Sequence, residues 1–102
     1  MSEHAVIVQF KYGSTALSPL FELEARLETA IAAAKAGEYD GNEIAVDGSD
    51  GSLYMYGPDA DRLADAIRPL LEAAPFMKGA KVTKRYGPPG EGVREVEIEV
   101  GV

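Results

Sequence analysis

The chain has 102 residues, 46% of them hydrophobic, enough for one domain (1–102) with a packed core. Its 10 basic and 17 acidic residues give a formal net charge of −7, a balance that argues against nucleic acid and anionic membranes as partners. Cysteine is absent, which excludes disulfides, thiolate nucleophiles, iron–sulfur centres and zinc–thiolate sites, and suits a cytoplasmic protein.

Residues 1–4, Met-Ser-Glu-His, lack the basic and apolar regions of a signal peptide, and no apolar run approaches the roughly 18 residues of a membrane span. From Ala5 to Tyr12 the residues alternate as in a strand, with Val6, Val8, Phe10 and Tyr12 on one face and Ile7, Gln9 and Lys11 on the other. Ser18-Pro19 reads as a helix start with Ser18 as cap. Leu20, Leu23, Leu27, Ile31 and Ala34 then form one apolar stripe, and Gly37 is the expected stop.

A second strand is predicted over Gly41–Asp47, a turn over Gly48–Gly51, and a returning strand over Ser52–Gly57. Asp59 is the expected N-cap of a second helix, with Asp61 in its first turn and an apolar stripe of Leu63, Ile67, Leu70 and Leu71. Pro69 lies late in that helix and Pro75 closes it. Ala80–Tyr86 reads as a fourth strand, Gly87–Gly92 as a loop, and Val93–Val100 as a last strand in which Val96, Ile98 and Val100 alternate with Glu95, Glu97 and Glu99.

The order β-α-β-β-α-β-β predicts an α+β, ferredoxin-like two-layer sandwich. Right-handed crossovers would put both helices on one face of an antiparallel sheet, with a fifth strand added at one edge.

The chain carries no evident catalytic set. Its single histidine, His4, falls at the start of the first strand and reads as a solvated end residue. Lys81, Lys84 and Arg85, with Lys78 nearby, read as a solvated edge. The glutamates 95, 97 and 99 read as a wet strand face that guards against edge aggregation. Asp47-Gly48-Ser49-Asp50-Gly51 lacks the register of a calcium loop and reads as turn chemistry, so no metal and no cofactor are expected.

Tyr54 and Tyr56 are the most informative pair. If Leu53 and Met55 face the helices, both tyrosines lie on the open side of the sheet, beside Ile7 and the aliphatic part of Arg85. Such a face suits contact with a protein partner or a second copy of the chain.

Three strings carry a family resemblance: Glu38 to Glu43 (EYDGNE), Leu53 to Asp61 (LYMYGPDAD) and Arg85 to Gly90 (RYGPPG). They resemble small uncharacterised bacterial proteins grouped loosely with the RNase E inhibitor RraB-like fold. That resemblance implies an acidic, non-catalytic domain that acts on a nuclease by protein contact.

The expectation is therefore a non-enzymatic regulatory or protein-interaction domain acting through Tyr54, Tyr56, Ile7 and Arg85, and self-associating in one version of that reading. The alternative is a small enzyme or ligand-binding domain using Tyr39, Asp40, Glu43 and Asp47.

Overall fold

The computed structural model describes residues 3–90 and 92–101. Its elements are β1 (His4–Lys11), α1 (Ser18–Ala34), β2 (Glu38–Ile44), β3 (Asp50–Gly57), α2 (Ala60–Ala73), a short 3-10 turn (Pro75–Met77), β4 (Lys81–Arg85) and β5 (Glu95–Glu99). The strands form one five-stranded antiparallel sheet in the order β2-β3-β1-β4-β5. This is the expected ferredoxin-like arrangement with its extra edge strand.

The two-residue alternation of the central strands divides the molecule. Val6, Val8 and Phe10 of β1, Leu53 and Met55 of β3, and Val82 of β4 are buried together with Leu20, Leu23, Leu27 and Ile31 of α1 and Leu63, Ile67 and Leu71 of α2. All belong to one core between the sheet and the helices. α1 lies against β2 and α2 against β1, β3 and β4, while neither helix lies over β5. Leu70, expected in the core stripe, is only half-buried, and the small residues Ala60 and Ala64 are buried in α2 instead.

Both helix ends of α1 differ from the sequence reading. Ser18 lies inside the helix, and Leu17 takes the cap position without a side-chain cap. The helix ends at Lys35, which adopts the left-handed conformation (φ 51°), with Ala36 N–H donating to Ile31 O at 3.1 Å. Gly37 is needed for a different reason. A Cβ there would sit 2.0 Å from Tyr56 O, and one on Gly57 would sit 2.1 Å from Ala36 O, so two glycines let the exit of α1 cross the end of β3.

The hairpin turn also comes earlier than predicted. Ala45 N–H donates to Asp50 O at 3.0 Å and Gly48 N–H to Ala45 O at 2.8 Å, while Asp50 and Gly51 belong to β3. Gly51 stands opposite Ile44, where a Cβ would meet Ile44 Cδ1 at 2.4 Å and the Phe10 ring at 3.0 Å. This glycine makes room inside a strand rather than forming the turn.

β2 carries a bulge between Tyr39 and Gly41. Its register against β3 places Tyr39, Asn42 and Ile44 on the helix side and Glu38, Gly41 and Glu43 on the open side.

Gly37→Ala and Gly41→Ala separate strain from collision. Both positions have positive φ, but only Gly37 faces a backbone carbonyl; nothing lies within 4 Å of a Cβ at Gly41. Gly41→Ala should cost about 1–2 kcal/mol in urea unfolding, and Gly37→Ala at least about 2 kcal/mol more. Equal losses would contradict the close approach.

Candidate functional site

The face of the sheet away from the helices is a grid of cross-strand rows. In one row Tyr54, Ile7, Thr83 and Glu97 stand side by side on β3, β1, β4 and β5. The next holds Glu38, Tyr56, Ala5, Arg85 and Glu95, and the one on the other side holds Glu43, Ser52, Gln9, Lys81 and Glu99. Ala5 is fully covered although it lies outside the helix-side core, because Tyr56 and Arg85 flank it. Ile7, Tyr54, Tyr56 and Thr83 are half-buried and form a continuous strip over the three inner strands.

Charge is kept away from the middle of this strip. Arg85 turns its Nε–H to Gly87 O at 2.7 Å. The carboxylates of Glu38 and Glu43 lie on β2, and those of Glu95, Glu97 and Glu99 on β5. Tyr54 OH donates to Glu43 Oε2 at 3.3 Å, and Lys81 Nζ lies 3.9 Å from Glu97 Oε1. The face thus has an aromatic and aliphatic centre and an acidic rim, and it unites Tyr54, Tyr56, Ile7 and Arg85 as the sequence parity suggested.

The alternative set is not brought together. Tyr39 faces the helices, Glu43 the open side, Asp40 is exposed at the bulge, and Asp47 lies in the hairpin turn, where its Oδ1 accepts from Ser49 N–H at 2.9 Å. That turn, Ser49 hydroxyl first, holds the Asp47 carboxyl below its ordinary value. Tyr39 OH is buried without a hydrogen-bond partner among the described residues, and burial followed by the Glu24 carboxylate pushes its ionisation upward. A phenol so placed stays protonated at neutral pH and cannot serve as a base. Burial also raises Glu24, which accepts from Asn42 Nδ2 at 2.5 Å. Sequence reasoning missed the Glu24–Asn42 link because the bulge, not the alternation, turns Asn42 toward α1. No cluster of three or more metal-ligating side chains occurs among the described residues.

His4 requires a correction. It is not a solvated end residue: its Nδ1 accepts from Ala60 N–H at 3.0 Å, and its ring stands edge-on to Tyr86, centroids 5.7 Å apart. Asp59, as expected, caps the same helix, accepting from Asp61 N–H at 3.0 Å and Arg62 N–H at 3.2 Å. Together they satisfy three N–H groups at the start of α2. Arg62 in turn donates to Ala34 O at 2.6 Å, joining the start of α2 to the end of α1.

The basic residues of β4 are not a uniform solvated edge either. Lys84 faces the helix side and donates to Asp61 Oδ1 at 2.9 Å; Tyr86 OH donates to the same oxygen at 2.5 Å, and Arg94 lies 4.8 Å from the Tyr86 ring centre. The Tyr86 hydroxyl first, and then Lys84, holds the Asp61 carboxyl below its ordinary value of 3.8. The Asp61 contact raises Lys84 above 10.5. These contacts tie β4, α2 and the β4–β5 loop into one structural knot.

No family model and no curated protein matches the chain. The solved structure of Rv0793 from Mycobacterium tuberculosis is similar at a TM-score of 0.62 and 20% identity, over 89% of this chain and 99% of that one. Identity at that level establishes a shared fold and nothing about activity.

Two tests address the knot. His4→Ala leaves the N–H of the fully buried Ala60 without its acceptor and should cost about 1–2 kcal/mol in urea unfolding; an unchanged midpoint would remove the capping role. A carboxyl depressed by folding stabilises above its ordinary value, and that contribution disappears as pH falls through the folded value. Asp61→Asn should therefore flatten the fall in thermal midpoint as pH drops below about 4, relative to the parent chain. Equal slopes would show that Asp61 contributes nothing there.

Proposed function

We propose that the chain acts by protein contact through the open face of its sheet, without chemistry of its own, and that the occupant is a second copy of the chain. The observation that carries this reading is the continuous half-buried strip of Tyr54, Tyr56, Ile7 and Thr83, left uncovered by both helices.

Shape and area support self-association. A twisted sheet is matched across its whole width by another sheet of the same twist, packed about 10 Å away. Five strands about 4.8 Å apart and about 20 Å long present roughly 500 Å² per copy in projection. Two such faces, with the side chains that stand on them, approach the roughly 1,200 Å² at the low end of specific interfaces. The arrangement of centre and rim also fits: charge is depleted where the two faces would be driest, and carboxylates stand where water remains. Cytoplasmic residence and the regulatory role implied by the RraB-like strings belong to the same proposal.

Light scattering on a sizing column gives the test. The expected mass is twice the 10.9 kDa of one chain. Ile7→Glu and Tyr54→Glu should each return the monomer mass while keeping the far-ultraviolet dichroism of the parent. A parent chain that stays monomeric at about 1 mM would overturn self-association.

A further inference from the structure

β5 is one of the two edge strands of the sheet. Val100 N–H donates to Ala80 O and Tyr86 N–H to Arg94 O, each at 2.9 Å, so the even-numbered residues here direct their backbone groups to β4. Alternation then turns the N–H and C=O of Glu95, Glu97 and Glu99 away from the sheet, where they have no backbone partner among the described residues. β5 contains no proline, glycine or bulge, in contrast to β2 at the opposite edge. Its side chains are sorted as well: the glutamates face the open side, and half-buried Val96 and Ile98 face the helix side. A narrow cleft of about 10 Å³ separates Ile98 from Ala64, Ile67 and Leu71 of α2.

We propose that this edge accepts an extended basic segment of a partner protein as a sixth strand. Its cations lie against Glu95, Glu97 and Glu99, and its apolar residues lie beside Val96 and Ile98. The chain already contains a segment of this kind on the inner side of β5. In β4, Lys81, Thr83 and Arg85 stand opposite Glu99, Glu97 and Glu95, and Val82 stands opposite Ile98. A second copy of β5 is a poor occupant, because antiparallel pairing would set three glutamates against three. The net charge of −7 steers a basic segment toward the molecule. Backbone bonds then supply affinity, and alternate side chains supply selectivity. A sixth strand extends the sheet in its own plane and so leaves the open face free.

The probe is a heptapeptide with lysine at every second position and valine or isoleucine between, titrated into the isotope-labelled full chain. The expected result is a change in the amide resonances of residues 95–99, with binding that weakens as salt rises. The same peptide N-methylated at the residues that face the edge keeps its charge but loses its donors, and should bind at least about tenfold more weakly. Glu97→Pro removes an outward N–H while sparing the pairing with β4, and should abolish the change. No resonance change at millimolar peptide would overturn the proposal. So would equal binding by the methylated peptide, or equal binding by one with its lysines in a single block. If Glu97→Pro does not fold, the methylated peptide still decides.

Discussion

Side-chain alternation along β1, β3 and β4 is the constraint on which the rest depends. A strand permits no compromise between its faces: a slip of one residue would carry Val6, Val8, Leu53 and Met55 to the open side and bring Ile7, Tyr54 and Tyr56 under the helices. Four fully buried side chains against three half-buried ones decide the register. Each buried aliphatic side chain contributes about 1.5–3 kcal/mol, and the tyrosines would enter a core that offers their hydroxyls no partner. The open face is therefore a consequence of the core. Once the helices have taken the more apolar side, the remaining half-apolar side is left over two inner rows.

The electrostatic arrangement follows from the same division. The chain has few cations for its acids, and several are used internally. Arg62 holds the carbonyl end of α1, Lys84 holds Asp61, and Arg85 is folded back on Gly87. The first two contacts tie the start of α2 to the end of α1 and to β4, and the last two engage cations of β4 within the fold. What remains outside is an acidic rim around an uncharged centre. Acids at the outer strands keep solitary chains soluble without burdening the strip that would become dry on contact.

The fold was legible in the sequence wherever periodicity carried the information. The inward faces of β1 and β3 and the α1 stripe followed from the spacing of Val6, Val8, Leu53, Met55, Leu20, Leu23, Leu27 and Ile31, and so did the open position of Tyr54 and Tyr56. Misreadings arose where one residue type serves two physical purposes. Glycine signals a turn, yet Gly51 makes room within a strand and Gly37 permits a close approach, while Lys35 takes the left-handed position at the end of α1. Histidine at a strand start suggests a solvated end, yet His4 caps a helix 56 positions away in sequence. No local pattern reports such a partner. The bulge at Asp40 lies in the same class, since the inserted residue becomes visible only against the register of β3.

The edge strand shows how one device can serve two ends. Like charges along Glu95, Glu97 and Glu99 oppose pairing between copies, which protects a flat strand that has no bulge or proline to blunt it. The same three charges lower the cost of pairing with any strand that brings cations in the matching alternation, as β4 does within the chain. Protection by charge is therefore selective where protection by geometry would be absolute. At the opposite edge β2 is interrupted by its bulge, a geometric device that does not depend on the charge of an added strand. Because the helix layer ends before β5, the apolar residues on its inner side remain within reach of an added strand, and an edge that resists its own copy keeps the chemistry to receive a different one.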